Sequence, residues 1–314
     1  MSSFSPFAAK LSAIAVQEHS VTVAGVNTQY WQYGHPTAST TIIMIHGFRG
    51  DHHGLEPIVA ELGADISVIL PDLPGFGASD ALLGVSNIEA YSGWLRAFYD
   101  AIAAGQQKSH PAAVILGHSF GSIVVAAALA DGLPASHAIL INPIAANALR
   151  GPNRFMTRLA VLYYKAAAAL PEKAGFALLK NGAIVRIMSI TMAKTKDPAL
   201  RTWIHAQHDA YFSDFVSRAS VLEAFETSVG NDVSQYADAI AVRPNPVAFL
   251  LLVADRDDIT ALPEQKALAA RFPGARLEIV EGVGHLVHYE APDFAAHNIR
   301  SFLGRPALST ETPV

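Results

Sequence analysis

The chain has 314 residues, of which 51% are hydrophobic and 16% charged, with a net charge of −5, 13 histidines and no cysteine. That length suits one large domain, or one domain carrying a sizeable insertion, and the composition is far from that of a disordered chain. It excludes disulfides, cysteine nucleophiles and thiolate metal sites, contains no apolar run of the roughly 18–20 residues that span a bilayer, and leaves nucleic acid outside the expected partners.

The opening stretch, MSSFSPFAAKLSAIAVQEHS, lacks a basic start, a long apolar core and a cleavage site. A secretory signal is therefore not expected, and the expected location is the cytoplasm. Two short runs follow, Ser20–Ala24 and Gln29–Tyr33, joined by AGVN, and they read as an antiparallel hairpin at a sheet edge. From Thr41 onward strand-like runs alternate with helix-length segments. The runs are Thr41–Ile45, Ile66–Leu70, Ala112–Leu116, Ala138–Ile141, Val247–Val253 and Arg276–Val280. The helical segments between them include Leu55–Leu62, Ile88–Ala104, Ser122–Ala130 and Pro263–Phe272. This alternation predicts a mostly parallel sheet with helices on both faces.

Between about Asn147 and Tyr236 the alternation stops, and helical periodicity without a convincing strand predicts an all-helical insertion. Residues 150–201 hold ten basic side chains against Glu172 and Asp197, a balance of +8, so the remainder of the chain carries −13. The insertion is expected to present a cationic outer face. A solvated basic surface is the plain reading; contact with lipid headgroups or anionic substrates is the sharper one.

The stretch AAVILGHSFGSIVVAAALA, residues 112–130, puts Ser119 at the point where a strand gives way to a helix, with glycines two residues either side. At so tight a turn a Cβ at position 117 or 121 would clash, and the following helix points its free N–H groups at the serine. A chance Gly-x-Ser-x-Gly in a chain of this size has odds of about one in ten, so the strand–turn–helix setting carries much of the argument. A serine nucleophile needs a histidine base oriented by a carboxylate. His285, in EGVGHLVHYEAP, follows the last strand and a glycine turn; His288 is its nearest substitute. LLVADRDDIT offers Asp255, Asp257 and Asp258 just past an apolar strand. In MIHGFRG, Gly47 lets the backbone turn toward the serine, so that the N–H groups of Phe48 and Phe120 are placed to pair on an oxyanion.

At this point the chain resembles the α/β-hydrolase superfamily. The resemblance rests on HGF at 46–48, DLPGFGAS at 72–79, GHSFG at 117–121, ADRDDIT at 254–260 and GHLVHYEAP at 284–292, in the superfamily's order. It implies the α/β-hydrolase fold with an all-helical cap inserted after the sixth strand. The expected division is core at 1–146, cap at 147–236 and core again at 237–314. It implies Ser119 as nucleophile, His285 as base and Phe48 and Phe120 as oxyanion-hole residues. In superfamily members the acid loop reads glycine, two variable residues, aspartate; with Ala254 in the glycine place, that register selects Asp257. The implied reaction is hydrolysis of a carboxylic ester through an acyl-enzyme, with no cofactor and no metal.

Several residues carry a second reading. His46 is expected to brace the oxyanion turn, and Asn142 to cap or brace a loop. His52 and His53 suit a shared metal poorly. Arg49 is either a contact for an acidic substrate group or half of a structural ion pair. Serine at the elbow argues against epoxide and halide chemistry, for which resembling members use aspartate. Leu286 stands where C–C bond hydrolases often carry tryptophan. That chemistry, perhydrolysis and a ligand-sensing receptor of the same fold remain alternatives that the sequence does not remove. The apolar content of the insertion points to a hydrophobic acyl or alcohol group.

Overall fold

The structure is a computed structural model that describes residues 5–105, 113–147 and 154–306. It contains an eight-stranded sheet of order β1-β2-β4-β3-β5-β6-β7-β8. The strands are β1 (Val16–Val23), β2 (Val26–Tyr33), β3 (Thr41–Ile45), β4 (Ser67–Pro71), β5 (Ala113–His118), β6 (Ala135–Ile141), β7 (Ala248–Ala254) and β8 (Arg276–Val280). From β4 to β8 across the sheet all pairings are parallel. β2 runs antiparallel to both β1 and β4.

The parallel strands are apolar on both faces because both are covered. Ile43, Ile45, Ile69, Ile115, Leu140, Leu251 and Val253 pack with helices α3 (Ile88–Gly105) and α4 (Phe120–Ala130). Their neighbours Ile42, Met44, Val68, Leu70, Leu116, Ile139, Leu250 and Leu252 pack on the other face with α2 (Glu56–Leu62) and α13 (Pro292–Phe302). The two-residue repeat of a strand thus divides each apolar run between two cores. Outside this pair, α1 (Ala8–Ser12) contacts α2 at one margin.

The hairpin closes through Ala24 and Gly25, both at positive φ (50° and 77°), with Val23 paired to Val26. Its turn is therefore two residues, not the four of AGVN, and β1 begins four residues before the expected Ser20. The sequence understates β1 because only Val23 of that strand is buried. β6 likewise begins three residues before Ala138, through the half-buried Ser136 and His137.

Between β6 and β7 the described chain is helical: α5 (Arg154–Ala169), α6 (Glu172–Leu179), α7 (Gly182–Met192), α8 (Pro198–Tyr211), α9 (Arg218–Gly230), a short 3₁₀ turn (Val233–Tyr236) and α10 (Ala237–Ala241). The expected boundary at residue 147 adjoins residues 148–153, and Arg150 among the ten counted cations lies there, outside the described residues. An asparagine and an aspartate set two of these helix starts: Asn181 accepts from the N–H groups of Ala183 and Ile184, and Asp197 from those of Ala199 and Leu200. The chain finishes with α11 (Leu262–Ala269), α12 (Val287–Glu290) and α13. Among the described residues no helix is long and apolar enough to cross a membrane.

Candidate active site

The loops that leave the carboxyl ends of β3, β5, β6, β7 and β8 converge at one edge of the sheet. At the end of β5, Ser119 stands at φ 51° and ψ −118°, backbone that a residue with a side chain rarely adopts. The turn closes so tightly that a Cβ on Gly117 would lie 2.5 Å from the Gly121 carbonyl oxygen. One on Gly121 would lie 2.3 Å from that of Ile45. Glycine is thus required at both places. The Ser119 N–H donates to the Ile141 carbonyl (3.1 Å). The Ser122 hydroxyl donates to the Ser119 carbonyl (2.5 Å) while accepting from the Ile144 N–H (3.2 Å), which ties the elbow to the loop after β6.

His285 follows β8 and is 5% exposed. Its Nδ1 lies 2.8 Å from Asp257 Oδ2 and its Nε2 2.8 Å from Ser119 Oγ. An ionised carboxylate only accepts, so the proton sits on Nδ1 and leaves Nε2 free to accept from the serine hydroxyl. Asp257 spends its other oxygen, Oδ1, on the N–H groups of Ile259 (2.7 Å) and Thr260 (3.1 Å). Its neighbours point elsewhere. Asp255 Oδ1 accepts from the Gly282 N–H (2.7 Å). Asp258 pairs with Lys194 (2.5 Å) and its side chain is 71% exposed.

The turn after β3 lies against the elbow: a Cβ on Gly47 would meet Ser119 Cβ at 3.3 Å. Among the described residues neither the Phe48 nor the Phe120 N–H has a protein acceptor, and Phe120 opens α4, where helix N–H groups are unpaired. His46 braces this turn, accepting at Nε2 from the Leu73 N–H (2.8 Å) and donating from Nδ1 to the Gly47 carbonyl (2.9 Å). Burial holds its pKa below the ordinary histidine value. Asn142 bridges two of the converging loops: it donates to the Gly284 carbonyl (3.0 Å) and accepts from the Ala254 N–H (2.9 Å).

Arg49 is 1% exposed and adopts φ 63°. Its guanidinium donates to the carbonyls of Phe212 (3.0 Å) and Leu179 (2.7 Å) and to the hydroxyls of Tyr164 (3.2 Å) and Ser213 (3.4 Å). It also lies over the rings of Phe212 and Phe215. Of its two readings, the ion pair gives way to neutral oxygens of the helical insertion, so this side chain ties the turn after β3 to α5, α6 and the α8–α9 loop while still bordering the cavity.

That cavity, about 760 Å³, opens over Ser119 and His285. Its wall is largely apolar: Phe48, Ile144, Tyr164, Met188, Phe225 and Leu286 contribute, most of them from the insertion or the loops beneath it. His46 and three further histidines border it. Burial pushes His118 and His208 down to about 3, and His288 well below the usual value, with neighbouring imidazoles adding to the effect. These rings are neutral wall groups; His288 lies tilted against His118 (centroids 4.1 Å apart, 57° between planes), and of the cavity's histidines it is His285 that reaches Ser119. Glu290 joins the insertion to the loop that carries His285. It accepts from the N–H groups of Lys194 (2.5 Å) and Thr195 (2.6 Å) in the insertion and from that of Gly284 (3.1 Å) beside His285. Asp51, His52 and His53 bring one donor atom each within 4.8 Å. His52 Nδ1 is already engaged by Asp72 (2.9 Å), and the two imidazoles lie in a column between Trp31 and Tyr211.

Comparison with known proteins agrees with the fold. The enol-lactonase from Burkholderia xenovorans LB400 superposes with a TM-score of 0.73 at 18% identity, covering 91% of this chain and 100% of the other. An esterase from Exiguobacterium antarcticum gives 0.72 at 14% identity, covering 92% and 100%. A thermophilic esterase from Thermogutta terrifontis gives 0.67 at 20% identity, covering 92% and 98%. A search of curated proteins finds no significant match. Residues 42–297 match the alpha/beta hydrolase family, and with the sheet order and converging loops already described, the chain belongs to that family.

Proposed function

We propose that the protein is a serine hydrolase that cleaves a carboxylic ester with a hydrophobic acyl or alcohol group. The observation that carries this reading is the hydrogen-bonded chain Ser119–His285–Asp257, with both links at 2.8 Å, at the floor of an apolar cavity. Ser119 Oγ attacks the ester carbonyl carbon while its proton passes to His285 Nε2. Asp257 holds the imidazole in the tautomer that can accept and stabilises the imidazolium that forms. The negative charge on the carbonyl oxygen is received by the N–H groups of Phe48 and Phe120, at the positive end of α4. His285 then returns the proton to the leaving alcohol. Water repeats the sequence on the acyl-enzyme, giving its proton to His285 and releasing the acid. In this reading the helical insertion is a cap. Its Tyr164, Met188 and Phe225 give the acyl or alcohol group an apolar surface in place of water.

The test is a panel of p-nitrophenyl esters of increasing acyl length, beside a matched amide and a vinylogous diketone, with wild type and Ser119→Ala. Steady multiple turnover on esters that rises beyond acetate and vanishes in Ser119→Ala is expected. A single slow turnover with a large thermal shift would move the assignment to a ligand sensor. Faster cleavage of the diketone than of every ester would move it to C–C bond hydrolysis.

A further inference from the structure

The outer surface of the cap carries large aliphatic side chains that the core does not use. Leu159 and Leu162 on α5 are 45% and 65% exposed, and Ile187 and Ile190 on α7 are 62% and 57% exposed. Each pair is spaced i, i+3, so its members share a helix face. On α5 the opposite face holds Tyr164 and Ala167, and on α7 Val185 and Ser189, all buried. The exposed pairs therefore face away from the protein body. Arg158 and Lys165 flank the leucines on the same face of α5. Both are exposed, and neither has a carboxylate within salt-bridge distance among the described residues. The same holds for Lys173 on α6 and for Lys196 and Arg201 around the start of α8.

Both aliphatic helices also wall the cavity, α5 through Ala160 and Tyr164 and α7 through Met188 and Ile190. Ile190 is at once a lining residue and largely exposed, so the cavity reaches the surface beside the aliphatic pairs. Ile259, 42% exposed, borders it as well.

We propose that this cap face docks reversibly on an anionic lipid surface. Leu159, Leu162 and Ile187 enter the boundary between headgroups and acyl chains, and Arg158 and Lys165 meet lipid phosphates. Aliphatic side chains interleaved with unpaired cations on short surface helices are the arrangement that lies in a membrane interface without crossing it. The charge on the page also selects among occupants. A symmetric contact between two copies would set the cations of one against those of the other, whereas lipid phosphate neutralises them. The inference stands on the cap surface and does not require the hydrolase reading.

The experiment uses the full chain in sedimentation with vesicles of phosphatidylcholine alone and of phosphatidylcholine mixed with phosphatidylglycerol. Three proteins are compared: wild type, Leu162→Glu/Ile187→Glu and Arg158→Glu/Lys165→Glu. Turnover of a short soluble ester, melting temperature and mass by light scattering are measured alongside. Wild type should sediment with the anionic vesicles at least about tenfold more than with the neutral ones, and should be released as salt rises past ~0.1 M, where charges beyond about 10 Å are screened. Both double variants should lose binding while soluble-ester turnover and melting stay as in wild type. Equal binding to both vesicles, no binding to either, or undiminished binding by the variants overturns the proposal. A concentration-dependent dimer that these substitutions abolish, in the absence of vesicle binding, would give the face to a second copy instead.

Discussion

Three aspartates sit within four residues after β7, and only their surroundings separate them. Asp257 is buried, with one oxygen on His285 and the other on two backbone N–H groups. Without the carboxylate, the imidazole can settle in the tautomer whose Nε2 carries the proton and cannot accept from serine. Asp257→Asn should therefore lower turnover by about 10³–10⁴-fold in a folded protein. Asp255→Asn keeps an oxygen for the Gly282 N–H, and Asp258→Asn loses an exposed pair with Lys194 of small energetic weight. Both should stay within about tenfold of wild type. Steady-state kinetics on one soluble ester, with melting as the control for folding, checks all three. A crippled Asp255→Asn beside an active Asp257→Asn would place the acid two residues earlier. The residues alone left these three open; the superfamily's loop register, with Ala254 in the glycine place, singles out Asp257, and of the three it is Asp257 that contacts His285.

At the scale of elements, a guanidinium joins the helical insertion to the turn after β3. Arg49 belongs to the turn after β3, yet its four hydrogen-bond acceptors lie on α5, at the end of α6 and between α8 and α9. Lysine keeps the charge but cannot reproduce this fork. Hydrogen bonds from a charged donor contribute about 1.5–3 kcal/mol each, so Arg49→Lys should lower stability by at least ~3 kcal/mol. It should also reduce turnover of a small uncharged ester, because Phe48 is its chain neighbour. Denaturant unfolding with parallel kinetics reads both. Unchanged stability, with a raised KM confined to acidic esters, would instead make Arg49 a substrate contact. Nothing local in RGDHHG announces these contacts: the acceptors are 115 to 164 residues away in sequence. Glu290 escaped for the same reason, since its partners Lys194 and Thr195 lie in the helical insertion, about 95 residues away. The elbow was legible in part because one of its two glycine requirements is local: a Cβ on Gly117 would meet the Gly121 carbonyl four residues on, whereas Gly121 and Gly47 answer to backbone and side chains more than 70 residues away.

At the scale of the whole molecule, the sheet was readable where burial is complete. β3, β4 and β7 are interior strands, covered on both faces, and appear as near-continuous apolar runs. β1 at the margin is mostly exposed, so its first four residues carry no apolar pattern. The helical insertion was visible as a break in alternation, but not the way its helices share residues between an apolar cavity and an aliphatic outer face. That sharing depends on which side of α5 and α7 meets the body, a property of packing. One bond decides the central claim, the covalent bond that Ser119 Oγ forms with an electrophile inside this assembly. Intact mass after treatment with a fluorophosphonate probe measures it directly. The account predicts a single adduct on the wild-type chain, located on the peptide containing Ser119 and missing from Ser119→Ala. An adduct that persists in Ser119→Ala, or a wild-type chain left unlabelled while it turns over esters, would contradict it.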